Sequence, residues 1–419
     1  MSGTSMAFDL AQHRHLGHFS TEWRLALVLA VFFLVRGLYL HRPLTRAHIA
    51  TAVALAVIAR LGYDAHREVI GFLALALTGA ALVLPKSSKP APEQLPRIFA
   101  LVDKTKEGVL APFVMHSAKS FFFNSEDTAA LGYRARLGVA AVAGDPVGEL
   151  GDFPALIEEF TAFAHDNGWR VAVLAAGEYC APLWARHGLR AVPIGRDVVI
   201  DIPTFTLQGR TFRNLRQAVN RTHNAGITTE IVPESELDMP TVAKLWAIVD
   251  SSHAGHQNRG FSMILDHLLD GRHPGMLIAI ARNPSGEPVA FHRYATADEG
   301  RMITLDVPWR ARNAPNGVDE RLSVDMVFYG KEHGAQKLSL AFAAFPEIFD
   351  ETDRHIVSKL IHLASHALNP LVSVESLYRF VRKFRALGRR RFAMIRLRQV
   401  GTVLVAFLIL EFVPHRKRD

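Results

Sequence analysis

Two groups of residues in this sequence have the types and spacing that chemistry requires. The first is polar and begins with His292, Arg293 and Tyr294 on one predicted strand. Asp306 lies on the next predicted strand, and the turn "NAPNGVDERL" at 313–322 leads into a predicted helix. Because neighbouring residues of a strand point to opposite faces, at most one of His292 and Arg293 is expected to face a pocket.

The turn before the predicted helix has two interpretations, one structural and one catalytic. Asn316 and Gly317 suit a tight turn, and Asp319 and Glu320 follow in the first helical turn. The helix dipole favours acidic side chains at that position, so simple helix capping explains the two carboxylates as well as a catalytic role does.

The second group is the basic stretch "GRTFRNLRQAVNRTHNAG" at 209–226, which contains no acidic residue. On a helix its arginines fall within an arc of roughly 140°, and they are Arg210, Arg213, Arg216 and Arg221. Phe212, Leu215, Ala218 and Val219 gather on another side. The pattern predicts a helix that packs through one face and binds an anion through the other, although a solvated basic face would look similar.

Composition limits the classes of partner and cofactor. The 419 residues carry a net charge of +8, which suits a phosphate-rich partner such as RNA or anionic lipid. The single cysteine, Cys180, excludes an intrachain disulfide framework and cysteine-rich zinc sites. The glycine-containing stretch "GDPVGELGD" at 144–152 holds three acids that would repel a phosphate, and no Walker, HExxH or GxSxG motif is present. We therefore predict no cofactor and no metal.

The first 84 residues resemble a membrane region. Apolar runs at 23–40, 48–63 and 69–84 predict about three transmembrane helices, with three buried helices of a soluble protein as the alternative. The distribution of Lys and Arg places the N-terminus outside and everything after residue 85 in the cytoplasm. The sequence thus predicts a multi-pass protein of the inner membrane with a cytoplasmic working region.

Beyond a linker at 85–96, short strands and helices alternate, which predicts an α/β fold with mixed sheets. Two similar units are expected at 97–208 and 227–399, joined by the basic helix at 209–226. The joints "HDNGWRVAVLAAG" and "EHGAQKLSLAFAA" support the repeat, because in each a glycine ends a helix before an apolar strand.

The C-terminal region combines a basic and an apolar piece. Residues 379–398 are rich in Lys and Arg and contain no acid. The apolar run at 400–413, within a final region 400–419, is too short to cross a bilayer upright. It is expected to pack on the domain or to lie in the membrane interface.

Several motifs together carry a resemblance. In order along residues 95 to 399, the chain reads "GDPVG", "RNLRQAVNRTHNAG", "RGFSM", "PVAFHRY", "NAPNGVDERL" and "LYRFVRKF". These resemble motifs of the cytoplasmic domain of bacterial aminoacyl-phosphatidylglycerol synthases of the MprF type. The resemblance implies two tandem acetyltransferase-like (GNAT) folds that move an amino acid from aminoacyl-tRNA to the hydroxyl of a membrane lipid without acyl-CoA.

The resemblance also suggests residue roles. The candidates for catalysis are Asp306 and Glu320, and those for substrate binding are Arg293, Asn316, Gly317 and Asp319. Arg293 is expected either to hold the lipid phosphate or to pair with an acid. The candidates for tRNA binding are Arg210, Arg213, Arg216 and Arg221. The candidates for binding lipid or tRNA phosphate are Arg379, Arg382, Lys383 and Arg390.

The substrates stay open at this point. The amino acid could be lysine, alanine or a similar one, and the acceptor is phosphatidylglycerol in preference to diacylglycerol. An aminoacyltransferase for cell-wall precursors and a non-catalytic, membrane-anchored tRNA-binding protein are the alternatives.

Overall fold

The structure is a computed structural model and describes residues 21–39, 43–252, 265–344, 380–396 and 399–412. The chain divides into two compact units. One comprises the described residues up to Ser87 together with Phe163–Arg170, and the other comprises Ser88–Ala162 and the described residues from Val171 onward.

Three helices form over the three apolar runs of the first unit, and they are α1 (Thr21–Tyr39), α2 (Arg46–Asp64) and α3 (Glu68–Leu82). Small residues lie where these helices meet. A Cβ added at Gly79 would lie 2.3 Å from the carbonyl oxygen of Ala30, and one added at Gly71 would lie 2.7 Å from the Trp23 ring. The helix contacts therefore require glycine.

Large apolar side chains of this unit point outward. Leu25, Val28, Val53 and Leu73 are each more than half exposed, whereas the buried residues are mostly alanine and glycine. Among the described helices, only α2 is both long and apolar enough to cross a membrane, and α3 is apolar but shorter.

The second unit is built around one twelve-stranded sheet, as expected of a mixed α/β fold. Its order is β1-β2-β3-β5-β12-β6-β11-β10-β9-β8-β7, with β4 paired to β2. The strands are β1 (Ser120–Phe123), β2 (Ala129–Arg136), β3 (Val139–Ala143), β4 (Val147–Gly148), β5 (Arg170–Gly177), β6 (Arg190–Asp201), β7 (Thr228–Pro233), β8 (Met276–Arg282), β9 (Pro288–Ala297), β10 (Met302–Arg310), β11 (Lys337–Ala344) and β12 (Leu387–Ile395). The sheet is mixed because β10 and β11 run parallel while β8, β9 and β10 pair antiparallel.

The remaining described helices are α4 (Leu95–Lys104), α5 (Phe153–Asp166), α6 (Cys180–Ala185), α7 (Arg213–Asn224), α8 (Met239–Ser251), α9 (Val318–Glu332) and α10 (Val400–Phe412). The helices and strands follow a similar order in two halves of the second unit. In the first half β1-β2-β3 is followed by α5 and β5, and in the second half β8-β9-β10 is followed by α9 and β11. The glycines at the two joints, Gly168 and Gly334, have φ values of 65° and 79°, which an L side chain rarely adopts.

The C-terminal strand completes the first half of the sheet. Although β12 follows the second repeat in sequence, it lies between β5 and β6. Arg391 of β12 donates to Asp197 at 2.7 Å and to Asp145 at 2.5 Å. Burial raises the pKa of Asp197 even though Arg391 opposes the shift. The acid of "GDPVG" thus binds a buried arginine instead of repelling phosphate.

Helix α10 packs on this half of the sheet. Val403 and Ala406 are buried against Val139 of β3. Its outer residues Leu404 and Val405 are about half exposed. Of the two expectations for this run, packing on the domain is realised, and the helix is apolar on its outer face as well.

Candidate active site

The N-terminus of α9 is packed directly against the basic helix α7. Gly317, the residue before α9, has a φ of 101°, and a Cβ there would lie 2.7 Å from the carbonyl oxygen of Ala218. Both the backbone conformation and the close approach require glycine. The turn that was predicted from sequence therefore joins the two candidate groups.

Helix α7 buries the face that its periodicity predicts. Leu215, Ala218 and Val219 are buried, and Phe212 packs against the same core. The helix begins at Arg213 instead of residue 209, so Arg210 precedes it and does not share its periodicity.

The four predicted tRNA-binding arginines differ in what they contact. Arg216 is partly buried, and its Nη1 donates to the carbonyl oxygens of Leu207 and, at 3.0 Å, Gly209. The other three are exposed and have no acidic partner within the part of the chain that the structure describes. Three exposed guanidinium groups, on α7 and just before it, are therefore available to an anion.

Asp319 lies in the first turn of α9 and is held by a histidine and an arginine. Its Oδ1 lies 3.2 Å from Nε2 of His292, and its Oδ2 accepts from Nη1 of Arg310 at 3.4 Å. The side chain is 22% exposed. Burial would raise the pKa of Asp319, but the hydrogen bond and charge of His292, together with Arg310 and Lys383, lower it overall. A stable anion therefore reaches the surface here.

Glu320 is almost buried and pairs with Lys383, whose side chain is 40% exposed. Lys383 lies in the short 3-10 helix Arg382–Phe384, so the pair connects the C-terminal basic segment to α9. Asn316 is exposed one turn away. A carboxylate and an ammonium thus meet beside Asp319.

Arg293 lies in a separate, buried network. Its Nε donates to Glu234 at 2.6 Å, and its Nη1 donates to Asp306 at 3.2 Å. The other N–H groups reach Glu234 again and the carbonyl oxygens of Asp266 and His267. All five guanidinium N–H groups are used. Of the two expected roles, the geometry shows pairing with acids and leaves no N–H for a phosphate.

Asp306 belongs to the same buried network. One carboxylate oxygen accepts from the Leu265 N–H at 2.8 Å and the other from Arg293. Burial raises the pKa of Asp306, and Arg293 offsets the shift only in part. The hydrogen-bond partners of Asp306 are thus distinct from those of Glu320, and its predicted place at the reacting centre stays a prediction.

A cluster around Asp266 connects the segment before β1 to the segment before β8. Asp266 accepts from Nε2 of His273 at 3.1 Å and from the N–H and hydroxyl of Ser117, while His116 and His267 lie within 4.0 Å. Burial opposes ionisation, but these hydrogen bonds and the charge of His116 lower the pKa of Asp266 well below its usual range. Among the described residues, no group of His, Cys, Asp and Glu is arranged to hold a metal ion.

The remaining predicted phosphate ligands lie on the C-terminal segment. Arg382 is exposed, and Arg390 is exposed with its backbone N–H donating to Glu178 at 3.0 Å. Arg379 lies outside the described residues.

A family profile described as phosphatidylglycerol lysyltransferase, C-terminal, matches residues 99–395. The chain belongs to this family. The MprF-like domain protein Rv1619 of Mycobacterium tuberculosis is 47% identical over 94% of this chain and 83% of its own length. A phosphatidylglycerol lysyltransferase-like enzyme, predicted from the motifs, is therefore confirmed at the level of the family.

Other relatives and solved structures of the phosphatidylglycerol lysyltransferase family agree. The bifunctional protein LysX of Rhodococcus jostii, named for lysylphosphatidylglycerol biosynthesis, is 31% identical over 58% of this chain, which spans 22% of its length. The structure of L-PGS from Bacillus licheniformis has a TM-score of 0.66 and 22% identity, covering 79% of this chain and 99% of its own. A C-terminal domain from Agrobacterium fabrum also has a TM-score of 0.66, with 22% identity over 78% of this chain and 99% of its own. These structures confirm the fold.

The sequence did not predict the residues that pair with the candidate site residues. Glu234 lies far from Arg293 in sequence, and Asp266 stands among the apolar residues Leu265, Leu268 and Leu269, which do not indicate a polar cluster. Arg391 is one of three successive arginines, and composition does not distinguish it from Arg389 and Arg390. Strand alternation separates Arg390 from Arg389 and Arg391, but it does not indicate which of those two is buried.

Proposed function

We propose that this protein is a membrane-bound aminoacyl-tRNA-dependent transferase that moves an amino acid to the hydroxyl of phosphatidylglycerol. The observation that carries the proposal is the packing of α7 on the N-terminus of α9, where Gly317 contacts the backbone of Ala218. It packs the helix that carries exposed arginines against the start of the helix that carries Asp319 and Glu320. An anionic carrier and a cationic amino group can be bound together there.

The arginines suit the carrier. A tRNA backbone presents a regular series of phosphates, and lysine and arginine contacts to them dominate the affinity of such complexes. Arg210, Arg213 and Arg221 are exposed and lack acidic partners within the described residues, so binding phosphate would relieve the repulsion between their charges. Arg216 holds the preceding loop and supports the others.

The carboxylates suit the transferred group. An aminoacyl ester carries an α-ammonium, and Asp319 offers a partly exposed anion whose ionised form is stabilised. If the amino acid is lysine, its second ammonium requires another carboxylate. The acceptor and the amino acid are proposed as phosphatidylglycerol and lysine or alanine, and the family supports the lipid.

Glu320 and Lys383 could carry out the exchange. The lipid hydroxyl oxygen attacks the ester carbon, and its proton passes to the Glu320 carboxylate. The Lys383 ammonium stabilises the oxyanion of the tetrahedral intermediate. When the intermediate collapses, the tRNA ribose oxygen leaves and takes the proton back from Glu320, so no cofactor, acyl-CoA or ATP is consumed.

The first unit supports membrane attachment. Its helices bury glycine and alanine at their contacts and expose Leu25, Val28 and Val53, which is typical of helices packed in lipid. We propose that α1, α2 and α3 are a multi-pass anchor in the inner membrane, with two tandem acetyltransferase-like halves in the cytoplasm. The repeated order of strands and helices supports the tandem description.

Mass spectrometry of lipids tests the proposal. Cells that express the wild-type chain should contain a phospholipid heavier by one amino acid residue, which cells with an empty vector lack. Glu320→Gln should lower its amount by about a hundredfold, because a general base contributes at least that much. Glu332→Gln, at the far end of α9, removes the same charge and should have no effect. A wild-type chain that forms no such lipid would refute the proposal.

A further inference from the structure

His292 is a fully buried polar group near the proposed site, and none of the roles proposed above includes it. Its side chain is fully buried on β9. Nδ1 lies 3.0 Å from the hydroxyl of Tyr294, and Nε2 lies 3.2 Å from Oδ1 of Asp319. His292 and Tyr294 share one face of the strand, because they are two residues apart.

Tyr294, His292 and Asp319 form a hydrogen-bonded chain, and the positions of its protons follow from the two end residues. Asp319 is ionised at neutral pH, since its pKa is lowered, and an ionised carboxylate only accepts hydrogen bonds. Nε2 of His292 must therefore carry a proton. Burial raises the pKa of Tyr294, so its phenol is neutral and can donate to Nδ1. Nε2 of His292 thus donates to Asp319, and Nδ1 faces the Tyr294 hydroxyl.

The hydrogen-bonded chain reaches the surface at Asp319. Tyr294 and His292 are both fully buried, whereas the Asp319 side chain is 22% exposed and its second oxygen accepts from the half-exposed Arg310. Two donors on different strands thus fix both oxygens of one carboxylate. Such a carboxylate meets a ligand in a set orientation, and no rotamer freedom is lost on binding.

We propose that His292 is a positioning residue that holds Asp319 ready to bind the ammonium group of the aminoacyl ester. The inference rests on the proposed function, because it assigns the substrate group that Asp319 contacts. His292 itself does not touch the substrate. Its hydrogen bond orients the Asp319 carboxylate and keeps it ionised when the surroundings become acidic.

Four variants of the full chain separate this role from simple packing. His292→Leu keeps the approximate size and removes the donor. His292→Gln keeps an N–H near the position of Nε2. His292→Asn has a shorter amide, which does not reach Asp319, and it replaces His292→Leu if that variant fails to fold. Tyr294→Phe removes the hydroxyl that contacts Nδ1 and leaves the hydrogen bond between His292 and Asp319 in place.

Transfer from lysyl-tRNA and alanyl-tRNA to phosphatidylglycerol vesicles is measured across pH. His292→Leu should raise the KM for the aminoacyl donor about tenfold, since a hydrogen bond to a charged group is lost. The acid limb of kcat/KM should also move to higher pH, because the pKa of Asp319 rises towards its ordinary value. Tyr294→Phe should keep the wild-type acid limb, and His292→Gln should shift it less than His292→Leu does, because the amide restores the hydrogen bond to Asp319. The melting temperature and tRNA affinity of each variant are recorded as checks on folding.

The possible results are distinguishable. If the wild type transfers amino acids and all the variants share its acid limb, the inference is wrong, whatever their overall activity. Equal loss in His292→Leu and His292→Gln, with no pH shift, would show a packing role only and also overturn it. If the wild type itself transfers nothing, the proposed function fails first.

Discussion

Replacing Arg213 and Arg221 by glutamine should weaken tRNA binding through electrostatics alone. Both side chains are exposed and neither holds another part of the protein within the described residues, unlike Arg216, which bonds the carbonyl oxygen of Gly209. The double variant should therefore fold normally. A loss of affinity would report lost phosphate contacts.

The expected loss of tRNA affinity follows from the number of phosphate contacts that are removed. Each neutralised phosphate contributes roughly 0.7 to 0.9 to the slope of log K against log salt, so two lost contacts should flatten the slope by about 1.5. At 0.15 M salt each phosphate contact raises the binding constant about fivefold, so losing both contacts should weaken tRNA binding about twentyfold. Arg216→Gln should behave differently, with a lower melting temperature in addition to any loss of affinity.

The assay is tRNA binding to the full chain in detergent or nanodiscs at several salt concentrations. Lys106→Gln with Lys331→Gln is the matched control, since it removes two exposed charges away from α7. The control should keep the wild-type slope. If the control weakens binding as much as the α7 variant does, or if the α7 variant keeps the wild-type slope, the assignment of this face to tRNA is wrong.

Two further predictions concern the stability contributed by Arg391 and by Asp266. Arg391→Met should leave Asp145 and Asp197 without their buried cation, cost about 3–5 kcal/mol and lower the melting temperature of the second unit by about 10 °C. Arg389→Met, which removes an exposed arginine whose guanidinium pairs with Glu107, is the control, and equal effects in calorimetry would contradict the account. Asp266→Asn should be less stable than the wild type at pH 7, with a difference that shrinks below pH about 4. The pKa of Asp266 is lowered by folding, so its contribution is present above the unfolded pKa and is lost as pH falls through the folded one. A difference that stays constant in denaturant titrations from pH 7 to pH 3 would contradict this.

Local features of the fold could be predicted from the sequence because their causes are local. The packing face of α7 follows from the helical period, which places Leu215, Ala218 and Val219 on one side. The turn before α9 follows from Gly317, because few other residues adopt its positive φ. Similarly, glycine between a helix and an apolar strand indicated both joints of the repeat.

Long-range pairings could not be predicted in this way. The position of β12 between β5 and β6 depends on which strand edges are free after the rest of the sheet has formed. Glu234 and Asp306 meet Arg293 only because three separate segments converge on it. Without those partners, Arg293 looked as suitable for a lipid phosphate as for a carboxylate. The same applies to His292, whose contact with Asp319 crosses from a strand to a helix.

The most direct test of the central claim is transfer of a labelled amino acid from tRNA to lipid by the purified full chain. Lysyl-tRNA or alanyl-tRNA carrying an isotope in the amino acid is incubated with phosphatidylglycerol vesicles, and the lipid fraction is extracted and counted. The account predicts label in the lipid with the wild type, none with ribonuclease-treated donor and about a hundredfold less with Glu320→Gln. Label that enters the lipid equally well from the free amino acid, or that never enters it from any aminoacyl-tRNA, would contradict the account.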